Sequence, residues 1–225
     1  HNSKLITLEG LQKLNTFFNH LVVSNNKKLI SLQGLENLKN IESLYIFKNT
    51  SMSSLKGLDN LNKVNNSFLI DRNLNLENLN NLKNLTSIKG DYFRINNSSL
   101  KNLKGLENLK EIGGKLTITN NNKLNTLLGL EGLKSIGKEL IIGNNNELIS
   151  LNGLNNLNSI YGSLEIGYFK ALYKGSKEVN NGNKKLSNYC AIKSTNVLGE
   201  FHIKYNLYNP NKEQISSNNS CEKTE

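Results

Sequence analysis

At 225 residues, 36% of them hydrophobic and with a mean hydropathy of -0.47, the chain can build one elongated domain or two globular ones. No apolar run approaches the ~18 residues of a membrane span, and no signal peptide is visible in a sequence that opens on His1-Asn2-Ser3. The formal charge of +10 raises the question of an anionic partner. The basic residues are nevertheless spread through the chain with no run of five, as a lysine- and asparagine-rich coding bias produces, and nucleic acid is not an expected partner.

From the first residues onward the phrase L-x-x-L-x-G-L-x-x-L-x-x-I returns at a fixed pitch. Its glycine is Gly10, Gly34, Gly57, Gly105, Gly129 and Gly153, with Asn81 in the same slot of one further copy. Steps of 23 or 24 residues are those of a solenoid, in which each coil packs only on its neighbours. In the coil from Leu100 to Lys123 the apolar positions are Leu100, Leu103, Leu106, Leu109 and Ile112, then the alternating pair Leu116 and Ile118. A spacing of three fits a tight coil better than an α-helix, which wants mixed steps of three and four. The alternating pair reads as a strand.

The other coils supply the pairs Leu21/Val23, Leu44/Ile46, Phe68/Ile70, Phe93/Ile95, Leu140/Ile142 and Leu164/Ile166. Stacked, these strands predict one parallel sheet roughly 30 Å across. Two coils carry one-residue slips, from Ile41 to Leu44 and from Ile88 to Phe93, which bulges can absorb. After each strand comes an asparagine: Asn25, Asn49, Asn73, Asn97, Asn120 and Asn144. An asparagine in one slot of every coil can bond backbone groups at the bend and stack as a ladder, a structural role. Triplets such as Asn49-Thr50-Ser51 and Asn84-Leu85-Thr86 are expected by chance in so asparagine-rich a chain.

At Tyr168 the slot changes, and a cap is expected to begin. The polar stretch 174–185 reads as a loop, and Phe201, Ile203 and Tyr205 alternate as a strand before an Asn209-Pro210 turn. Cys190 and Cys221, the only two cysteines, both lie in this region. They are either buried thiols or a disulfide. Their confinement to a terminal cap favours the disulfide, which would close a loop of ~32 residues, contribute on the order of 3 kcal/mol and require an oxidising compartment. The predicted fold is mainly β: a right-handed solenoid of about seven coils over residues 1–168, followed by a disulfide-bonded C-terminal cap over 169–225.

The phrases GLENLKEIGGKLTITNNNKL (105–124) and GLEGLKSIGKELIIGNNNEL (129–148) resemble the leucine-rich repeats of receptor L-domains. The segment from Cys190 through Tyr205-Asn206-Leu207-Tyr208-Asn209-Pro210 to Cys221 is similar to the C-terminal unit of leucine-rich surface proteins of Bacteroidetes. The resemblance implies a bacterial protein that is secreted or displayed at the cell surface, its signal peptide removed, with an adhesive rather than a catalytic role.

The residues themselves point away from catalysis. Only Asp59, Asp71 and Asp91 represent aspartate, and Glu36, Glu107 and Glu131 recur in one slot, which argues a solvated edge rather than an acid/base pair. His1, His20 and His202 lie far apart, His202 is expected on the surface, and no catalytic, metal-binding or phosphate-binding phrase occurs. Neither a cofactor nor a metal is expected. In a solenoid strand the positions between core residues face outward. Val22, Tyr45, Phe47, Leu69 and Arg94 occupy such positions on the first four long strands, and exposed aromatics beside an arginine are the usual make-up of a protein-binding hot spot. The expected function is binding of a protein or glycan on a cell surface or matrix, by a monomer. The alternative is a self-associating surface-layer component.

Overall fold

The computed structural model describes residues 2, 4–13, 16–96, 98–167, 182–217 and 220–223, with backbone alone at 16–18. Its strands in chain order are β1 (Thr16–Ser24), β2 (Asn40–Phe47), β3 (Lys63–Val64), β4 (Ser67–Asp71), β5 (Ser87–Ile88), β6 (Tyr92–Asn96), β7 (Glu111–Ile112), β8 (Lys115–Thr119), β9 (Ser135–Ile136), β10 (Leu140–Gly143), β11 (Ser159–Ile160), β12 (Leu164–Ile166), β13 (Asn196–Val197) and β14 (Phe201–Ile203). All pair in parallel within one sheet of two columns. The long-strand column stacks β1, β2, β4, β6, β8, β10, β12 and β14; the short-strand column runs from β2 through β3, β5, β7, β9 and β11 to β13. β2 belongs to both, because Asn40 pairs with Lys63 and Leu44 with Phe68. From the third coil on, turn-forming residues such as Asn65-Asn66 and Gly113-Gly114 separate the two pieces.

The result is a mainly β, parallel-strand solenoid, with about six turns of about 24 residues between the first and seventh expected strands. The slips do not disturb the register: Leu44, Phe68 and Phe93 are successive partners, and the Phe68 and Phe93 rings stack at 5.2 Å. The extra residue after Ile88 falls in the bend between β5 and β6, whereas the shorter Ile41–Leu44 step lies within the unbroken strand β2. β1 carries an irregularity between Phe17 and His20. Inside the coils the repeated Leu, Ile and Phe positions form one continuous core with almost no solvent exposure. Each such leucine contributes roughly 1.5–3 kcal/mol by leaving water.

The repeat glycines turn the chain at positive φ. Gly129 has φ +114°, and a Cβ placed there would meet the Leu103 carbonyl oxygen of the preceding coil at 2.0 Å. Its N–H donates to Glu131 at 2.8 Å, and Gly34, Gly57 and Gly105 donate likewise to Glu36, Asp59 and Glu107. The coil with Asn81 in the glycine slot instead makes a 3-10 turn, Asn80–Leu82. The coil with Ala191 in that slot does the same over Cys190–Ile192, entered from nearly the same backbone angles.

The buried asparagine ladder contains Asn49 and Asn73 as expected, but at Asn26, Asn121 and Asn145 it runs one residue later than the expected Asn25, Asn120 and Asn144. Asn26, Asn49 and Asn73 stack in it, and after an interruption at Ser98 it continues through Asn121, Asn145, Asn183 and Asn206. Each side-chain amide from Asn49 onward donates back to a strand carbonyl of the previous coil, as Asn121 does to Ile95. Asn25, Asn120 and Asn144 sit one residue earlier, where the backbone is left-handed at φ between 56° and 59°. Asparagine tolerates that region better than most residues, which is why both slots attract it. Asn97 and Tyr168 lie outside the described residues.

The sheet does not stop where the cap was expected. β13 pairs with β11 and β14 with β12, so the C-terminal segment builds one more coil. Its ladder step, Asn145 to Asn183, is 38 residues against the usual 24, and the 14 additional residues fall between Gly167 and Gly182. Tyr205 is not part of β14 but the left-handed bend after it, with φ +63°. A short helix, α1 (Lys212–Ser216), starts from a capping box between Asn211 and Gln214 and buries Ile215. Cys190 and Cys221 form a disulfide with a Cα–Cα distance of 4.9 Å. The tail then pairs back on the last coil: Tyr189 N–H donates to Cys221 O at 2.8 Å and Lys223 N–H to Ser187 O at 3.0 Å. Covering terminal backbone in this way protects an edge that would otherwise pair with other chains.

Candidate functional site

The long strands present alternate residues outward because their partners Leu44, Ile46, Phe68, Ile70, Phe93 and Ile95 are held in the core. Val22, Tyr45, Leu69 and Arg94 are register neighbours in one outward row on β1, β2, β4 and β6. Strand spacing puts Val22 and Arg94 roughly 14 Å apart. Phe47 lies in the adjoining row, between Ser24 and Asp71. Val22 is 53% exposed, whereas Tyr45, Phe47, Leu69 and Arg94 are half-buried.

Two further residues, His20 and Tyr92, complete this patch. Each long strand has a third outward position, just before its first core residue, and both occupy it. The His20 ring lies 6.0 Å from that of Tyr45, and the Tyr45 hydroxyl is a near electrostatic neighbour of Tyr92 across β4. The Arg94 guanidinium sits over the Tyr92 ring, 5.6 Å from its centre. Burial and then the neighbouring Tyr45 push the Tyr92 hydroxyl above its ordinary value, so it stays neutral and able to donate. The side chains of His20, Tyr45, Tyr92 and Arg94 thus form one connected string beside the aliphatic Val22 and Leu69.

Beyond Arg94 the row changes character. Thr117, Ile141 and Glu165 follow in register on β8, β10 and β12, and His202 on β14. Thr117 is 7% exposed, and its hydroxyl has no hydrogen-bond partner; Arg94 Nε, in the neighbouring position, is also buried and unpartnered. Lys115 and Glu139 pair with each other at 3.4 Å, and Asp71 accepts from Asn96. Among the described residues no carboxylate forms a salt bridge with Arg94.

The residues considered for acid/base chemistry are occupied elsewhere. Glu36, Glu107 and Glu131 hold glycine amides of their own turns rather than a free solvated edge. Asp59 holds Gly57 N–H at 3.0 Å and accepts from Asn81 at 2.7 Å. Burial raises its carboxyl, but the hydrogen bonds from Asn81 and the Gly57 amide, with Lys83 nearby, leave it below the usual value. His202 is half-buried, with Nε2 3.0 Å from Glu200. Among the described residues no group of three or more histidines, cysteines, aspartates or glutamates is placed to hold a metal ion, and no helix is long and apolar enough to cross a membrane. Comparison of the chain with protein-family models, with curated proteins and with solved structures finds no match.

Proposed function

We propose that the chain is an extracellular binding module that recognises a protein or glycan on a cell surface or matrix through the outer face of β1, β2, β4 and β6. One observation carries this reading: the uninterrupted outward row of Val22, Tyr45, Leu69 and Arg94, joined to His20 and Tyr92 on a rigid parallel sheet. Apolar and aromatic side chains gathered beside a cation are the composition of binding hot spots. The Cys190–Cys221 disulfide supports an oxidising compartment, hence secretion or surface display. The resemblance to receptor L-domain and bacterial leucine-rich surface proteins agrees in its implied role. A role without catalysis is supported by the glutamates of the repeat slot, whose carboxylates are engaged by backbone amides.

The test is binding of the purified chain to cells and matrix proteins at low and moderate salt, beside a variant with Tyr45, Phe47, Leu69 and Arg94 all changed to alanine. Saturable, salt-tolerant binding by the parent that the variant loses supports the proposal. Binding that vanishes with salt and ignores the variant overturns it and leaves only diffuse basic charge. A mass that rises with concentration, and reverts in the variant, would assign the face to self-association instead.

A further inference from the structure

Resting on that reading of the face, we infer that Arg94 and Thr117 form a carboxylate-receiving subsite, and that the partner is a protein presenting an aspartate or glutamate next to an apolar side chain. Buried polar groups in folded proteins almost always have partners, so each exception calls for an explanation. Here two exceptions adjoin: Arg94 Nε and Thr117 Oγ1 belong to register neighbours on β6 and β8. Both can donate, and Arg94 carries a charge that no described carboxylate neutralises. Among the described residues its charge-related contact is the Tyr92 ring, from which the guanidinium can lift to meet an incoming acid. Of the acids on the flanking strands, Glu139 is ion-paired with Lys115, though its Oε2 has no hydrogen-bond partner, and Asp71 accepts from Asn96.

A carboxylate satisfies this arrangement best, since its two oxygens can accept from the guanidinium and the hydroxyl together. What adjoins the subsite decides the class of partner. Leu69 and Val22 are aliphatic, and with Tyr45 they make a row that an apolar side chain fits better than the hydroxyl-rich face of a sugar. An acidic residue bound at Arg94 would lay its apolar neighbour on Leu69.

The chain contains only two arginines, Arg72 and Arg94. The isotope-labelled full chain, disulfide intact, therefore gives two arginine Nε–H signals, with exposed Arg72 as the internal control and Arg94→Lys as the assignment. The probes are acetyl-Leu-Glu-amide, acetyl-Leu-Gln-amide and sodium glucuronate. The glutamate peptide is expected to move the Arg94 signal saturably and to bind about five- to tenfold tighter than the glutamine peptide. Thr117→Val should lower that preference while leaving the backbone spectrum intact. Equal binding of the two peptides, with shifts confined to β2 and β4, would keep the face and remove the subsite. Glucuronate binding as tightly as the glutamate peptide overturns the protein partner in favour of an acidic glycan. An Arg94 signal that tracks Arg72 with every probe overturns the subsite outright.

Discussion

The polar rows that run along the coil bends and the polar end of the outer sheet face differ in one respect: the former find backbone partners in most coils, Asn146 Oδ1 being an exception. The buried ladder from Asn26 to Asn206, the carboxylates on the repeat glycines, and asparagines such as Asn60 and Asn108, which donate to Glu36 O and Lys83 O one coil back, all close hydrogen bonds that the fold opens. Hydroxyls and amides at 31, 54, 78, 102, 126, 150 and 188 do the same, each accepting the N–H two residues on. On the outer face the residue changes from coil to coil, and Arg94 Nε and Thr117 Oγ1 are donors that none of the described residues accepts. Repetition marks the residues that make the coil; a lapse in repetition with unmet hydrogen bonds marks those kept for another purpose.

The sharpest way to break this contrast is at a repeat glycine. Gly129→Ala adds a Cβ that would lie 2.0 Å from Leu103 O at a φ of +114°, and should cost about 3 kcal/mol or more in urea unfolding. Asn81→Ala, in the coil that already uses a 3-10 turn, should cost only about 1 kcal/mol, the bond to Asp59. Equal losses would mean that the two kinds of turn are not distinct solutions. Next comes the ladder. Asn121→Ala removes the acceptor for Ser98 and Asn145's neighbour in the stack, together with the amide bond to Ile95 O; about 2 kcal/mol should go, whereas Asn122→Ala, at an exposed position, should stay within about 0.5 kcal/mol.

A smaller pair of substitutions separates the two faces of the contrast within one strand. Thr117 and Thr119 are both buried and both outward on β8. The Thr119 hydroxyl donates to Asn96 at 2.9 Å, while that of Thr117 has no partner. Thr119→Val should lose about 1 kcal/mol, and Thr117→Val should lose nothing or gain up to about 1 kcal/mol. Thermal midpoints of the two variants read the difference directly. A loss at Thr117 equal to that at Thr119 would remove it from the set of residues kept for a ligand.

Why some of this was legible in the sequence and some was not follows from how each feature is encoded. The glycine phrase and the Leu/Ile alternation fix coil length, strand position and inward face, because core packing permits few exceptions at those slots. The expected ladder is right at Asn49 and Asn73 and one residue early at Asn25, Asn120 and Asn144, because Asn25-Asn26, Asn120-Asn121 and Asn144-Asn145 each offer two asparagines that the local sequence alone does not distinguish. Lys48-Asn49 and Arg72-Asn73 hold the answer: where only one asparagine is present, it stands in the second slot. The last coil was read as a departure from the repeat because the extra 14 residues break the period, although Leu186, Tyr189, Ile192 and Val197 still fill the core. The face was legible for Val22, Tyr45, Leu69 and Arg94. Tyr92 and His20 precede the core pair of their strands, outside the two outward positions that the alternation marks, and the unmet donors of Arg94 and Thr117 exist only in three dimensions.

The gentlest probe of the repeated rows is pH at Asp59. This carboxylate joins a glycine coil to the 3-10 coil, receiving Gly57 N–H on one oxygen and the Asn81 amide on the other. Those bonds hold its carboxyl below the ordinary value of 3.8 despite burial. A depressed carboxyl binds its proton more readily in the unfolded chain than in the folded one. Its contribution is therefore fully present above pH 3.8 and is lost as the pH falls through the lowered folded value. The urea midpoint of the parent should fall more steeply below pH 3.8 than that of Asp59→Asn. The amide should still fold, since Asn155 already serves the same slot by accepting Gly153 N–H at 3.0 Å. Parallel pH curves for the two proteins would show that the slot needs only an acceptor in every coil, and that the choice between acid and amide there is free.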